Sequence, residues 1–366
     1  MTNNVLVLGG YGGVGRYVVE YLLKFFDFNI IIGGRNKQKA KLLKDTLHAK
    51  YPKSKVDFSI VDATDKNSLL SNFKNIDLAI ITATVPNQMS LIAEAALESN
   101  IDLMDILMRS DVVDKLAKFE KTIKDKNRIF ITQCGFHPGI IAPLIRFASS
   151  HFNQYDEAKL MMAMDGFFQQ PEAIKEIIYE VIKSNALMLE NKAWRKASYK
   201  DAVTFDFSEH FGRMQCYPAQ MKEIHGIEKE LGLNDCAVYT AGFGPYIDNF
   251  IFPLAVVLGY INKNLSLNIC SRLFFNRIKH KITTLPKAKL VLKASGIHEG
   301  KTKNVKISLL SNNSYELTAM ALTALLNQYI NKPIKNPGLY LMGQITDEKW
   351  LIRDLKKMGV SLKLSS

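Results

Sequence analysis

Residues 5–16 read VLVLGGYGGVGR. Val5–Leu8 is a short apolar run rich in β-branched residues, the pattern of a strand buried on both faces. Gly10, Gly12 and Gly15 then stand at G-x-G-x-x-G spacing, and Arg16–Phe26 continues with helical apolar periodicity. The three glycines suit a tight turn, a close backbone approach to a pyrophosphate, and close packing of helix on strand. The start of the helix adds free N–H groups and the positive end of its dipole. Glycine-rich turns are common, so the spacing alone is weak evidence. A strand before it and a helix after it favour dinucleotide binding over a merely structural turn.

Asn29–Ile32 predicts a second strand, ending in Gly33-Gly34-Arg35-Asn36-Lys37. NAD-binding units place an acid about 20 residues beyond the glycines, where it holds the ribose 2′-OH. No Asp or Glu stands there. Arg35 occupies the neighbourhood, and its planar fork suits a 2′-phosphate. The expected cofactor is therefore NADP; the bland alternative is a solvated Arg35 at a helix start. Lys37–Tyr51 predicts a helix and Val56–Val61 a third strand closing on Asp62, where an acid would lie near an adenine. Asp65 reads more simply as the N-cap of a helix over Asn67–Phe73. Asp77–Ile81, the fourth strand, runs into Thr82-Ala83-Thr84-Val85-Pro86-Asn87. The nicotinamide half of a cofactor would cross the sheet edge at this turn, although a plain turn accounts for it nearly as well.

A helix over Gln88–Ser99, a strand over Ile101–Leu107 with Asp105 in it, a helix over Val112–Asp125 and a strand over Arg128–Thr132 complete the pattern. Six strands alternating with helices predict an α/β fold, a doubly wound parallel Rossmann sheet. The sixth strand leads into Gln133-Cys134-Gly135-Phe136-His137-Pro138-Gly139, an irregular loop at the carboxyl edge, where such sheets bind ligands. Cys134, His137 and Asp105 are the candidates for proton transfer. His137 is the side chain best matched to neutral pH. Against these roles, a single Cys after a strand is commonly a small buried hydrophobe, a loop His is commonly solvated, and a carboxylate in a strand is costly unless paired or placed at the strand end.

The combination GGYGGVG, then GGR after the second strand, TATVPN after the fourth and QCGFHPG after the sixth resembles the saccharopine dehydrogenase-like oxidoreductases. The resemblance is strongest in 5–140 and 314–361. It implies that Gly10, Tyr11, Gly12, Gly13, Val14, Gly15, Arg35 and Asn36 hold NADP, with Asp62 nearby. Thr82, Ala83, Thr84 and Pro86 would line the nicotinamide side, and Gly135–Gly139 would frame the active-site floor. This chain has His137 where the family's G-x-D-P-G carries its acid, and Thr84-Val85-Pro86 in place of G-P-F/Y. The reaction implied is hydride transfer at a C–N or C=N bond of a small, amino-acid-like substrate.

Beyond Gly139 the rhythm changes. Pro143–Phe152 predicts a helix, Glu157–Gly166 a strand and Pro171–Leu189 a long helix, with further strands at Ala237–Thr240, Lys289–Ala294 and Asn304–Leu310. The resemblance implies an inserted α/β second domain with a mixed sheet, carrying substrate and homodimer contacts. The domains expected are 1–145, an insertion over 146–313, and a C-terminal segment, 314–366, completing the first domain. In that segment Ser314–Tyr329 predicts a helix, Pro337-Gly338 a loop, Thr346–Met358 a last helix and Gly359–Leu364 a strand. Within 208–226, His210, Arg213, Tyr217, Glu223 and His225 could serve an amino-acid-like ligand. Arg213 is the candidate for its carboxylate, and a surface role accounts for it equally well. No metal site is expected: the two histidines lack a carboxylate pattern, and the four cysteines are scattered without C-x-x-C spacing.

Hydrophobic residues make up 47% and charged residues 23% of the 366, as in a soluble globular chain. No basic leader with an apolar stretch follows Met1, and the expectation is a cytoplasmic protein, or one peripheral to a membrane. The net charge of +13 is spread over three segments without a nucleic-acid-binding motif, so no nucleic-acid partner is expected. Residues 250–285 combine an apolar run too short to span a bilayer with Arg272, Arg277, Lys279 and Lys281. They read either as packed helices or as a peripheral membrane contact. The rival functional readings are a non-catalytic NADP-binding module and a membrane-peripheral reductase of an apolar substrate. A short-chain-reductase-like enzyme ranks last, for want of a Y-x-x-x-K after the fourth strand.

Overall fold

NVLVL at Asn4–Leu8 forms β1, and its residues from Val5 to Leu8 are buried. The chain then alternates: α1 (Gly15–Phe25), β2 (Asn29–Gly34), α2 (Lys37–Lys50), β3 (Val56–Ile60), α3 (Lys66–Phe73), β4 (Leu78–Ile81), α4 (Met89–Glu98), β5 (Asp102–Asp105), α5 (Ser110–Ala117), α6 (Glu120–Asp125) and β6 (Ile129–Thr132). The computed structural model describes residues 3–166, 168, 171–183, 186–208, 210–279, 286–332 and 334–365. It divides into two units: the chain up to Ile140 with Tyr315–Leu355, and Ile141–Ser314 with the chain from Lys356 on.

The second unit holds α7 (Ile141–Ser149), β7 (Gln154–Met164), α8 (Pro171–Lys183), β8 (Leu187–Glu190), β9 (Ala193–Lys196), β10 (Val203–Asp206), β11 (Arg213–Pro218), α9 (Ile227–Leu231), β12 (Asp235–Ala241), α10 (Phe252–Ile261), α11 (Lys263–Ile278), β13 (Ala288–His298) and β14 (Lys301–Ser311). The chain then runs through α12 (Ser314–Asn331), β15 (Gly338–Leu341), α13 (Met342–Ile345), α14 (Glu348–Lys357) and β16 (Ser361–Ser365).

The first sheet has seven parallel strands in the order β15-β6-β5-β4-β1-β2-β3. Its order reverses at β1, where the glycine loop leaves the sheet, and ligands of such sheets bind at that reversal. β15 corrects the reading of Pro337-Gly338 as a loop. GLYL is an edge strand paired with β6 from Gly338↔Ile129 to Leu341↔Thr132, and its opening Pro-Gly disguised it. The predicted helix over Val112–Asp125 is broken into α5 and α6. On one face the core packs Leu69, Phe73, Ile92, Ala96 and Leu116 against Leu6, Ile81 and Phe130. Helix α12 belongs to this unit: Tyr21 Oη donates to Glu316 at 2.8 Å, and Tyr329 Oη donates to Asp102.

The second sheet is mixed and has nine strands, with β10-β11-β12-β7-β13-β14-β16 as its main order. Two predicted boundaries change here. The helix from Pro171 ends at Lys183, and Leu187–Glu190 turns into a hairpin with β9. Asn191 and Lys192 both have positive φ (50° and 66°), the backbone that a tight hairpin turn requires. The last strand, β16, pairs antiparallel with β14 from Lys306↔Ser365 to Leu310↔Ser361. The C-terminal segment 314–366 therefore does not all return to the first domain, as the sequence suggests. Its alternating Leu362 and Leu364 supply what an edge strand of the second sheet needs. Residues 247–279 form a short π turn at Ile247–Ile251, then α10 and α11. One side packs through Ile251, Ala255, Cys270, Phe274 and Ile278 against Ile174 and Ile178 of α8. The remainder of 250–285, from 280 to 285 and so including Lys281, lies outside the described residues.

Candidate active site

The glycine loop is held shut by its own backbone. Gly9 N donates to Gly33 O at 2.8 Å, and Gly12 N donates to Gly9 O at 2.8 Å. Gly9, not Gly10, makes the left-handed turn, with φ +87°. The G-x-G-x-x-G reading overlooked it because GGYGG offers two registers. A Cβ on Gly15 would lie 2.1 Å from Gly9 O and 2.7 Å from Thr82 Oγ1. Thr82 donates to Leu8 O through both its N–H (2.8 Å) and its hydroxyl (3.0 Å), joining the loops after β1 and β4. No side chain caps α1, and no backbone carbonyl among the described residues accepts from the N–H groups of Gly13 and Val14. This is a side-chain-free cradle of backbone donors at a helix N-terminus, the shape and polarity that a pyrophosphate needs.

Arg35 stands exposed at the end of β2, without an ion-pair partner among the described residues. Asn36 Oδ1 accepts from Lys39 N at 2.9 Å and caps α2, while Asn36 N donates to Tyr11 Oη at 2.9 Å. Tyr11 thus lies against Gly34, whose Cβ would meet the ring at 2.5 Å. Asp62 Oδ1 accepts from Thr64 N and Oγ1 at 2.9 and 2.7 Å. These bonds, with Arg35 nearby, hold its carboxyl below the usual range. NADP fits these residues: the cradle offers the backbone donors that a pyrophosphate would need, and Arg35 is an exposed cation without an ion-pair partner among the described residues. Ala83 N donates to Leu8 O at 2.9 Å, Thr84 is exposed, and Pro86 O accepts from Lys115 Nζ at 2.7 Å.

At the ends of β5 and β6 the structure gathers Asp105, Gln133 and Cys134. Asp105 is fully buried, and its Oδ1 accepts from Leu107 N (2.9 Å) and Gln133 N (3.5 Å). Its Oδ2 is buried without a partner among the described residues. Burial pushes the carboxyl up to about 6, with the Thr132 hydroxyl and the two backbone donors pulling the other way. Cys134 N donates to Asp105 O at 2.7 Å, and its thiol donates to Ile131 O at 3.3 Å. Burial, then the Asp105 charge, raises that thiol well above its ordinary value. His137 is part-buried in the following loop, its Nε2 buried and unpartnered among the described residues, and burial lowers the imidazole to about 4. It is neutral at physiological pH. Gly139 closes the loop, since a Cβ there would lie 2.2 Å from Gly135 O.

Two features escaped the sequence reading. Gln133 adopts φ +61°, rare for a residue with a side chain, and buries Oε1 without a partner among the described residues. The signal was a polar residue directly after a buried strand. Arg109 is 8% exposed and grips Asp111 by two bonds, at 2.8 and 2.6 Å, while reaching Asn87 Oδ1 at 3.3 Å. Lys115 pairs with the same Asp111 at 3.0 Å. Together they pin the loop after β4, and the i,i+4 spacing of Asp111 and Lys115 was the visible clue.

In the second unit, Arg213 is exposed at the start of β11, opposite Asp206 on β10. Nε2 of His210 lies 2.9 and 3.0 Å from the Asp165 oxygens. Glu223 is buried and accepts from Ala142 N at 3.1 Å, in the first turn of α7. The His225 ring packs 5.0 Å from Trp194. Glu223 and His225 are thus occupied by the fold. Among the described residues no group of three or more His, Cys, Asp or Glu could hold a metal ion.

The family model described as saccharopine dehydrogenase NADP binding domain matches residues 5–131. Carboxyaminopropylagmatine dehydrogenase of Synechocystis sp. is 27% identical over 172 residues, 44% of this chain and 41% of its own. A lipid droplet localized protein of Caenorhabditis elegans is 25% identical over 141 residues, 36% of this chain and 33% of its own. The matched stretch thus spans well under half the length of each of these relatives. Apo saccharopine dehydrogenase (L-Glu forming) from Saccharomyces cerevisiae superposes with a TM-score of 0.73 over 100% of both chains, at 14% identity. Residues 5–131 thus match a saccharopine dehydrogenase NADP binding domain, and the chain has the fold of the yeast enzyme.

Proposed function

We propose that this protein is an NADP-dependent oxidoreductase that acts at a C–N or C=N bond of a small, amino-acid-like substrate. The observation that carries the proposal is the backbone cradle at Gly9–Gly15, with Arg35 exposed at the end of β2, in a domain of the NADP-binding type. When bound, the nicotinamide supplies or accepts the hydride. The chain's own residues bind and orient. Gly12–Gly15 hold the pyrophosphate, Arg35 the 2′-phosphate, and Thr82–Pro86 border the nicotinamide.

Of the three proton-handling candidates, Asp105 and His137 are the ones we retain. Each keeps a buried polar atom free, and Asp105 has a carboxyl poised near neutrality. Cys134 has its thiol bonded to Ile131 O and held protonated, which favours a packing role. Arg213, exposed and without an ion-pair partner among the described residues, remains the proposed carboxylate ligand. A cytoplasmic homodimer is the assembly we propose with it. A non-catalytic NADP-binding module is favoured by one observation, the complete burial of two of the three proton-handling candidates, Asp105 and Cys134.

The test is an NADPH titration followed by a screen for NADPH oxidation with pairs of keto acids and amines. Binding with turnover of one pair supports the enzyme; tight binding with no turnover across the screen supports the module. Loss of preference for NADPH over NADH removes the basis of both.

A further inference from the structure

Around the corner between α10 and α11, large apolar side chains stand exposed among the described residues. Tyr246, Phe250, Val257, Tyr260, Ile261, Leu265 and Ile269 are all exposed across the π turn, α10 and the start of α11, with Asn249, Asn262, Asn264 and Asn268 exposed among them. Exposure climbs towards the corner between the helices: 59% at Val257, 89% at Tyr260 and 76% at Ile261. Asn262 makes the corner, its Oδ1 accepting from Leu265 N at 3.0 Å. Single exposed apolar residues are ordinary, but Val257, Tyr260, Ile261 and Leu265 grouped at one corner mark a surface that something covers.

The charges around that corner say what. Between Tyr246 and Lys279 there are four basic residues and one acid, Asp248. Asp248 is engaged inwards, accepting from Phe243 N (2.9 Å) and Gly244 N (3.1 Å). Arg272 and Arg277 are exposed on α11 beyond the apolar corner, and the Arg277 guanidinium lies 5.9 Å from the centre of the Tyr246 ring. Lys263 is turned back over the Tyr179 ring at 3.6 Å, which leaves the corner itself uncharged. An apolar tip with cations set back from it matches a bilayer with an anionic surface: apolar side chains enter the acyl boundary while the cations stay among the headgroups. A second copy of this chain is a poor occupant, because it would set basic rim against basic rim in a protein of net charge +13. No helix among the described residues is long and apolar enough to cross a membrane, so the contact is peripheral.

We infer that the α10–α11 corner seats this protein on an anionic phospholipid surface, with Val257, Tyr260, Ile261 and Leu265 inserted and Arg272 and Arg277 on the headgroups. This inference stands apart from the cofactor reading. The test is sedimentation of the full chain with vesicles of phosphatidylcholine alone and of phosphatidylcholine with an equimolar share of phosphatidylglycerol. The chain should sediment with the anionic vesicles and be released by raised salt. Tyr260→Ser with Ile261→Ser should weaken binding about tenfold or more, since two large inserted side chains are lost. Arg272→Glu with Arg277→Glu should do the same. Both variants should keep the melting temperature and NADPH affinity of the parent. Sedimentation with neither vesicle, or unchanged binding by the Tyr260→Ser/Ile261→Ser variant, overturns the inference. So does a change of that variant's mass in solution without vesicle binding by the parent, which would make the face a contact between copies.

Discussion

The carbonyl oxygen of Gly9 occupies the space that a side chain on Gly15 would need, 2.1 Å from where its Cβ would stand. The first and last glycines of the loop are thereby locked together, and the loop cannot relax around a substitution at either end. Gly15→Ala should move Gly9, and with it the N–H groups facing the phosphates. Overpacking of this kind costs about 1–3 kcal/mol. A urea titration should show that loss, and NADPH fluorescence should show a Kd raised about tenfold or more. Gly338→Ala, in β15 of the same sheet, is the control. Its nearest neighbour is 3.5 Å away, and both readouts should stay at the parent's values.

Arg35→Gln separates the 2′-phosphate from the rest of the cofactor. The guanidinium is exposed and makes no ion pair among the described residues, so its removal should leave the urea midpoint unchanged. A hydrogen-bonded charge contributes about 1.5–3 kcal/mol, so NADPH affinity should drop roughly ten- to a hundredfold. NADH affinity, lacking that phosphate, should hold. Equal losses for both cofactors would assign Arg35 to something other than the 2′-phosphate.

These two predictions rest on features that differ in how far the sequence revealed them. The β1–α1 loop was legible because strand, glycines and helix are contiguous, and β-branched periodicity marks the strand without help from the rest of the chain. Arg35 was legible as an absence of acid at a defined distance. The left-handed Gly9 was not, since five glycines within seven residues leave the register to the packing of Ala83 against the turn. Nor was β15, an edge strand of four residues whose partner β6 lies some two hundred positions earlier. The inward half of α10 and α11 and the exposed half share one composition. Only the fold decides that Ala255 and Phe274 pack while Tyr260 and Ile261 stay out.

Asp105 and His137 give the folding stability a pH signature. Burial raises Asp105 from 3.8 to about 6, so the folded chain keeps a proton that the unfolded chain has released. Its contribution is complete below about pH 4 and fades as pH rises through 6, worth on the order of 3 kcal/mol. Burial lowers His137 from 6.5 to about 4, so its contribution is complete above pH 6.5 and is lost on acidification towards 4, by a similar amount. In the parent the two largely offset each other between pH 4 and 6. Asp105→Asn keeps an acceptor for Leu107 N and removes the first of them. Urea midpoints for this variant should therefore rise more steeply from pH 4 to 6.5, whereas His137→Gln should give a falling profile. Parallel profiles for all three proteins would show that neither group is buried as the fold places it.

The Arg109–Asp111 pair should show the asymmetry of a buried cation. Burial raises Asp111, but Arg109 and Lys115 outweigh it and hold the carboxyl down to about 2. Its stabilisation is thus present above 3.8 and lost as pH falls towards 2. Asp111→Ala takes two hydrogen bonds from a guanidinium that is 8% exposed, and removing one partner of a buried pair costs up to about 3–5 kcal/mol. Arg109→Met instead removes the buried charge and leaves Asp111 with Lys115, 3.0 Å away. That variant should lose less than half as much in a urea titration. Because Arg109 also reaches Asn87 and Lys115 holds Pro86 O, Asp111→Ala should loosen the loop after β4 as well. Amide exchange at Thr84–Gln88 should then speed up at a pH where the protein is still folded. Equal costs for the two variants, with exchange in this loop unchanged, would mean that the pair is a surface decoration and that the loop is held by β4 alone.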